Sequence, residues 1–231
     1  MTLRALIFDV DGTLAETEEA HRAAFNNTFA KWGLDWHWSQ SDYRTLLKVT
    51  GGKERIKAFQ SSLAGARLTD EQIAQMHKEK TARYGEILAS GLLELRPGVA
   101  ALIDTARRAG VKLAVATTTN TPNVEALCQC CWNAPATDVF DHIAAGDMVA
   151  QKKPAPDVYL LALQQLNLPA DHCIAFEDSL NGLRSAHDAK LRVLMTASAY
   201  TDDEDHSAAQ WQAPSLMAQH LPMELSEALR C

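Results

Sequence analysis

Short apolar runs alternate with amphipathic segments along most of the chain. Residues 3–10 form an apolar run that ends on acidic side chains and a glycine, which is typical of a buried parallel strand that enters a loop. Three later runs are further strand candidates, at residues 112–117, 173–176 and 192–195. Helical patterns separate these runs, at residues 98–109, 123–130, 156–166 and 180–189. This alternation predicts an α/β protein whose core is a Rossmann-like parallel sheet surrounded by helices.

The segment between the first two predicted strands has a different pattern. It shows helical periodicity, charged faces and no convincing strand. Its four predicted helices cover residues 17–33, 42–48, 53–63 and 70–90. Thr69 is a predicted N-cap whose capping box is completed by Gln72. Since a helical bundle interrupts the sheet after its first strand, we predict a core domain of residues 1–15 and 92–231 and an inserted α-helical cap domain of residues 16–91.

Composition and charge limit the classes of function. The 231 residues are 47% hydrophobic and 22% charged, which is typical of a globular protein that buries a core without disulfides. The formal net charge of -7 argues against a nucleic-acid surface. No segment has the length of a membrane span, and no basic segment with an apolar run precedes the first predicted strand. We expect a cytoplasmic protein, by default a monomer, without nucleic-acid or membrane partners.

The five cysteines favour a reducing compartment, because their number is odd and their positions are scattered. Cys128, Cys130 and Cys131 cluster, whereas Cys173 and Cys231 stand alone. Cys128 and Cys131 have the spacing of half a zinc site, but no second Cys or His pair completes it. We therefore interpret the cluster as small helix residues.

Polar side chains follow the predicted strands at the end where open parallel sheets bind ligands. They are Asp9 and Asp11 after the first strand, Thr117, Thr118 and Thr119 after the second, and Glu177 and Asp178 after the third. Carboxylates that converge at one edge repel one another unless a cation lies among them, and hard oxygen ligands favour Mg²⁺. Lys153 adds a positive charge just before a helix. Each motif alone has an ordinary explanation as a turn, a helix cap or a surface lysine, but together they suit phosphoryl transfer.

These motifs resemble those of the haloacid dehalogenase-like superfamily. The run FDVDGTL at residues 8–14 is similar to the superfamily's signature. Thr117 after an apolar strand, the pair Lys153-Pro154 and the run EDS at residues 177–179 match the other three motifs in order. The resemblance extends over nearly the whole chain, and it implies the predicted sheet with its cap.

The resemblance also implies a role for each motif residue. Asp9 would be the nucleophile that forms an aspartyl-phosphate, and Asp11 would protonate the leaving oxygen and then activate water. Thr117 would donate a hydrogen bond to the transferred phosphoryl group, and Lys153 would neutralise its charge. The implied Mg²⁺ ligands are Asp9, the backbone carbonyl of Asp11, Asp178, and Glu177 either directly or through water.

The carboxylate at position 11 narrows the reaction class. By the resemblance, dehalogenases and phosphonate hydrolases lack this carboxylate and transporting ATPases have a lysine, so Asp11 indicates a phosphatase or a phosphomutase. Three alternatives remain open from the sequence: a β-phosphoglucomutase-type sugar phosphomutase, a phosphoglycolate phosphatase, and an inactive binding module. The last is disfavoured because the nucleophile and the metal ligands are all present.

Several residues of the predicted cap are candidates for substrate binding. Glu18 and His21 lie within one helical turn of each other, so both can face the site. Gly51 and Gly52 expose backbone N–H groups at a helix start, which suits a second phosphate but also fits a simple loop-to-helix junction. Residues 11–19, 50–56 and 144–149 look like the CbbY-like branch, which includes a xylulose 1,5-bisphosphate phosphatase. The predicted substrate-binding residues are Glu18, His21, Tyr43, Gly51, Gly52, Lys53, Arg55, Thr118 and Thr119.

Overall fold

A computed structural model describes residues 3–65 and 67–230 and places six parallel strands in one sheet. The strands are β1 (Ala5–Phe8), β2 (Lys112–Ala116), β3 (His142–Ala144), β4 (Cys173–Glu177), β5 (Arg192–Met195) and β6 (Trp211–Gln212). Their order across the sheet is β3-β2-β1-β4-β5-β6. Cys231 and the predicted outer domain bounds at 1 and 231 lie outside the described residues.

The central strand β1 explains why the first apolar run is continuous. All four of its residues are buried. Leu6 and Phe8 pack into the apolar core on one face of the sheet, whereas Ala5 and Ile7 pack into the core on the other face. A strand covered on both faces has no solvent-facing positions, so its sequence does not alternate between apolar and polar residues.

Four helices between β1 and β2 form the cap. They are α1 (Glu18–Lys31), α2 (Gln40–Leu47), α3 (Gly52–Ser61) and α4 (Asp70–Ala89). Their own apolar core consists of Phe25, Phe29, Trp38, Tyr43, Ile56, Ile73 and Met76. The predicted capping box at the start of α4 is present, with the Thr69 side chain accepting a hydrogen bond from the Gln72 backbone N–H. The four predicted helices therefore exist, while the domain bounds at 15/16 and 91/92 stay a prediction.

Six further helices cover the two faces of the sheet. They are α5 (Val99–Arg108), α6 (Thr121–Trp132), α7 (Ala136–Val139), α8 (Asp157–Leu166), α9 (Leu180–Asp188) and α10 (Met223–Ala228). Buried residues of α5, α6, α7 and α10 pack on one face, and those of α8 and α9 pack on the other. The predicted fold class, a parallel α/β sheet with an inserted helical cap, is thus confirmed.

Four short elements were not among the predictions: β3, β6, α7 and α10. They are two to six residues long, so none contains enough positions to establish a period. The structure also shortens the first predicted strand, because the ladder ends at Phe8 although the Asp9 backbone N–H still donates to the Phe176 carbonyl at 2.9 Å. Among the described residues, no helix combines the length and the apolar character that a membrane crossing requires.

Candidate active site

The carboxyl ends of the parallel strands meet at one edge of the sheet, beneath the cap. A cavity of about 540 Å³ lies there, and residues of both the core and the cap line it. The core contributes Asp9, Asp11, Thr118, Thr119, Lys153 and Asp178 among others. The cap contributes Glu18, His21, Gly51, Gly52, Lys53, Arg55, His77 and Lys80 among others. The structure therefore brings nearly all the predicted site residues together around one cavity.

Lys153 binds two carboxylates at the floor of this cavity. Its Nζ lies 2.6 Å from Asp9 Oδ1 and 2.6 Å from Glu177 Oε1, and all three side chains are buried. The Tyr159 hydroxyl donates to the same Glu177 oxygen at 2.6 Å. Burial raises the pKa of Asp9 to about 8, although the Lys153 ammonium opposes this rise. The two carboxylates in turn raise the pKa of Lys153 above its ordinary value despite its burial.

Asp9, Glu177 and Asp178 form a cluster that fits a metal ion. One carboxylate oxygen from each lies within 4.8 Å of the others. Burial, and then the charges of Asp9 and Glu177, raise the pKa of Asp178 well above its ordinary value. Glu177 Oε2 is buried without a hydrogen-bond partner in the described part of the chain. Three carboxylates beside one ammonium leave negative charge uncompensated, so a hard divalent cation fits this donor set.

Gly12 makes room for this cluster. Its φ of +81° is in the left-handed region, and a Cβ atom there would collide with Asp178 Oδ2.

The Asp11 carboxylate lies outside the cluster of Asp9, Glu177 and Asp178. Its predicted contribution to the metal site was the backbone carbonyl, and that contribution stays a prediction.

The Asp11 carboxylate instead contacts the cap. Its Oδ1 accepts from Thr17 Oγ1 at 2.6 Å and lies 3.0 Å from His21 Nε2. His21 Nδ1 lies 2.6 Å from Lys80 Nζ. Because a carboxylate can only accept, Nε2 of the ring donates its proton to Asp11, and Nδ1 accepts from Lys80. The ring also stacks on Tyr84, with centroids 4.0 Å apart.

Burial sets the protonation of this chain of contacts. It lowers the pKa of Lys80 to about 7, and burial followed by the Lys80 charge lowers that of His21 to about 4. Burial opposes ionisation of Asp11, but the charge and hydrogen bond of His21 and the hydrogen bond of Thr17 lower its pKa to about 2. His21 is neutral at neutral pH, so at that pH it lowers the Asp11 pKa through its hydrogen bond and not through a charge.

Arg55 and Tyr43 are buried in the cap, and the half-buried Glu18 lies beside them. Arg55 donates to the Tyr43 hydroxyl at 2.9 Å and to the Leu46 carbonyl at 3.1 Å. Burial, and then the Asp11 charge, raise the pKa of Glu18 to about 7. Glu18 and Arg55 line the cavity, but Tyr43 is fully buried and does not. The predicted contact of Tyr43 with substrate is therefore not favoured by its position, which instead fixes Arg55.

The two glycines before and at the start of α3 line the cavity as predicted. A Cβ atom at Gly51 would collide with Glu54 Oε2, and one at Gly52 would collide with the His77 ring. Gly51 also has a φ of +98°, which few other residues adopt. The backbone angle favours glycine at Gly51, and at both positions the backbone lies close to neighbouring side chains. Lys53 follows and also lines the cavity.

The threonines after β2 lie at the same edge. Thr117 is buried, and its Oγ1 accepts from the Thr119 backbone N–H at 3.2 Å. Thr119 Oγ1 accepts from Asn123 Nδ2 at 2.8 Å. Thr118 and Thr119 line the cavity, whereas the buried Thr117 is not part of its lining. These hydrogen bonds fix the loop that connects β2 to α6.

Several cavity residues were missed from the sequence. They include His77, Lys80, Asn120, Asp147, Lys152, Asn181 and Glu204. One of them has a readable signal: Lys80 lies between Met76 and Tyr84 at a spacing of four residues, so a charge interrupts the buried face of α4. The others lie in loops or on helix faces whose position depends on how the cap packs on the core.

At the edge of this parallel sheet lie a candidate aspartate nucleophile, a buried lysine and an acidic cluster. This combination is typical of one class of enzyme. The sequence model of the haloacid dehalogenase-like hydrolase family matches residues 3–190. The chain belongs to that family.

Two relatives narrow the comparison. The chain is 61% identical to Protein CbbY of Rhodobacter capsulatus over 218 residues, which are 94% of this chain and 96% of that protein. It is also similar to the crystal structure of CbbY from Rhodobacter sphaeroides in complex with phosphate, with a TM-score of 0.90, 53% identity, and coverage of 93% and 95% of the two chains. A mutant of the latter protein, in complex with xylulose-(1,5)bisphosphate, matches with a TM-score of 0.90 and 52% identity over 93% of this chain and 95% of that one. The predicted family, its CbbY-like branch and a hydrolase of phosphatase type are thereby confirmed.

Proposed function

We propose that this chain is a Mg²⁺-dependent phosphatase that hydrolyses a sugar bisphosphate, xylulose 1,5-bisphosphate, through an aspartyl-phosphate on Asp9. The observation that carries the proposal is a single cavity with cations at two separate positions. Lys153 lies beside Asp9 in the core, while Lys53 and Lys152 lie at the cap side. A substrate with two phosphates would place one at each position. The bisphosphate bound by the CbbY mutant, a 52% identical protein, supports the same substrate.

The contacts of Asp9 suit it to nucleophilic attack. The Lys153 ammonium, 2.6 Å from Asp9, reduces the repulsion between a carboxylate nucleophile and an anionic phosphate. Attack by an Asp9 oxygen forms an O–P bond as the bond from phosphorus to the sugar oxygen breaks. When bound to Asp9, Asp178, Glu177 and the Asp11 carbonyl, Mg²⁺ would neutralise charge on the phosphoryl oxygens.

We assign the two proton transfers of the reaction to Asp11. It gives a proton to the departing sugar oxygen, and it then takes one from the water that cleaves the aspartyl-phosphate. The free carboxylate is ionised at neutral pH, since its pKa is about 2. An arriving phosphate dianion raises that pKa, because a like charge disfavours ionisation, so Asp11 takes up from solvent the proton that it then gives to the sugar oxygen. His21 holds Asp11 in place by the hydrogen bond from Nε2.

The test is phosphate release with Mg²⁺ from a panel of sugar monophosphates and bisphosphates, without any phosphorylated cofactor. We expect the largest kcat/KM with xylulose 1,5-bisphosphate. A profile that is flat or favours monophosphates would keep the chemistry and reject the bisphosphate. Isomerisation in place of phosphate release would show a mutase, in which the aspartyl-phosphate is protected from water.

Removal of divalent cations should abolish this activity. Without a cation, burial and the neighbouring carboxylates keep the pKa values of Asp9 and Asp178 raised, so the nucleophile holds its proton and the phosphoryl oxygens lack a countercharge. We expect EDTA to reduce phosphate release by at least about 10³-fold, and excess Mg²⁺ to restore it. Calorimetric titration of Mg²⁺ into the EDTA-treated protein, with Asp178→Asn as the comparison, measures the site itself. Full activity in EDTA, or unchanged Mg²⁺ affinity in Asp178→Asn, would contradict the assigned ligands.

Lys53→Ala should raise KM for the bisphosphate roughly tenfold with little change in kcat, because a lost contact to the phosphate that does not react weakens binding alone. The matched control is Lys57→Ala in the same helix, since Lys57 pairs with Asp70 at 2.8 Å and does not line the cavity. Steady-state kinetics with the bisphosphate compare the two variants. Equal KM values in both would remove Lys53 from the substrate site.

A further inference from the structure

An ion pair crosses the cavity between the core and the cap. Lys152 Nζ lies 2.9 Å from Glu54 Oε2, although the two residues are 98 positions apart in the chain. Both residues line the cavity. A Cβ atom at Gly51 would lie 2.6 Å from Lys152 Nζ, so the ammonium touches the backbone just before α3. We call Lys152 and Glu54 the bridging pair.

The two consecutive lysines of this loop point to different parts of the cavity. Lys153 is buried against Asp9 and Glu177 at the sheet edge. Lys152 instead reaches the cap, where Lys53 also lines the cavity. A positive corner therefore exists away from the nucleophile, and the core contributes part of it.

The bridging pair is suited to exchange its partner. The Glu54 side chain is 46% exposed and that of Lys152 is 22% exposed, and ion pairs of this exposure contribute little net stability. A phosphate dianion carries more charge than a carboxylate and offers more acceptor oxygens. It can therefore replace Glu54 as the partner of Lys152, whereas a neutral sugar hydroxyl cannot.

We infer that Lys152 binds the substrate phosphate that is not transferred, and that Glu54 occupies Lys152 until this phosphate arrives. This inference rests on the proposed bisphosphate substrate. It makes Lys152 a residue that determines specificity, because only a substrate with a second phosphate displaces Glu54. The phosphate that is not transferred would then contact both the core, through Lys152, and the cap.

The competing explanation is that the bridging pair merely fastens the cap to the core. The two explanations predict opposite effects of Glu54→Gln on binding of the bisphosphate. A fastening pair is lost equally when either charge is removed, so Lys152→Met and Glu54→Gln would impair the enzyme alike. If Lys152 binds phosphate, Lys152→Met weakens the bisphosphate complex, whereas Glu54→Gln removes a competitor and strengthens it.

The experiment measures kcat/KM of each variant for xylulose 1,5-bisphosphate and for p-nitrophenyl phosphate, which has a single phosphate. We expect Lys152→Met to lower the ratio of the two values about tenfold, Lys152→Arg to retain most of it, and Glu54→Gln to raise it a few fold. Lys57→Met is the matched control, because it breaks the Lys57–Asp70 pair on the outer side of α3. Circular dichroism and thermal midpoints confirm that each variant is folded.

The outcomes separate the two proposals. A wild-type enzyme without preference for the bisphosphate would reject the proposed substrate, and this inference with it. A clear wild-type preference that survives in Lys152→Met would overturn the inference alone. A loss in Glu54→Gln as large as that in Lys152→Met would likewise overturn it in favour of the fastening role.

Discussion

Asp9→Asn will reduce phosphate release by at least about 10⁴-fold, because a carboxamide oxygen is too weak a nucleophile to form the phosphoryl intermediate. Asparagine has nearly the same shape as aspartate, and its carbonyl oxygen can still accept from Lys153, which lies 2.6 Å from Asp9 Oδ1. The expected defect is therefore in kcat rather than in folding. Steady-state phosphate release with the bisphosphate and with p-nitrophenyl phosphate measures it.

Two further measurements make this result specific to the nucleophile. Asp104→Asn, an exposed change on α5, controls for the general effect of removing a carboxylate. Acid quenching of the wild-type enzyme during turnover should trap phosphate on Asp9, and the same quench of Asp9→Asn should trap none. If the variant retained a tenth of the activity, water rather than Asp9 would be the attacking group.

The residues of the core site could be predicted because they follow strands directly. In a parallel sheet all carboxyl ends meet at one edge, so the topology alone brings Asp9, Thr117 and Asp178 together. Their order along the chain and the apolar runs before them are local features of the sequence. The cap helices could also be predicted from local features, because helical periodicity over four segments is a strong signal.

The contacts between cap and core could not be predicted in this way. The Lys152–Glu54 contact joins residues 98 positions apart, and the Asn181–Thr50 hydrogen bond joins residues 131 positions apart. Such pairs depend on the angle at which the cap packs on the core, which no local pattern specifies. Tyr43 is a further example: we predicted that it contacts the substrate, but its side chain lies in the apolar core of the cap.

The cap also contacts the core at a second place, on the loop after β5. Arg44 Nη1 of α2 lies 2.6 Å from Asp202 and 3.0 Å from Asp203, in the loop after β5. The side chains of Asp202 and Asp203 are both exposed. Their contact with Arg44 shows that an exposed charged segment can still orient two parts of a molecule, although each such pair is worth little alone.

Asp11→Asn will lower steady-state hydrolysis of the bisphosphate by about 10²- to 10⁴-fold, because asparagine can neither protonate the sugar oxygen nor activate water. The first half of the reaction should respond differently when the leaving group is changed. The p-nitrophenolate ion departs without a proton, so attack by Asp9 remains fast in the variant. Hydrolysis of the aspartyl-phosphate stays slow, since it still needs a base.

The expected result with p-nitrophenyl phosphate is thus a burst of nitrophenolate equal to the enzyme concentration, followed by slow turnover. Stopped-flow absorbance measures the burst, and acid quenching measures the accumulated phosphoenzyme. Equal loss of burst and turnover would mean that Asp11 positions the substrate and transfers no proton.

His21→Gln is the comparison that separates Asp11 from the residues behind it. Glutamine keeps a hydrogen-bond donor but cannot relay the contact between Lys80 and Asp11, which the ring spans at 2.6 Å and 3.0 Å. Because Asp11 itself remains, both half-reactions should slow by a smaller and similar factor, roughly tenfold, and no burst should appear. A burst in His21→Gln would mean that water activation depends on the ring as much as on the carboxylate, and the base would then be the pair rather than Asp11 alone.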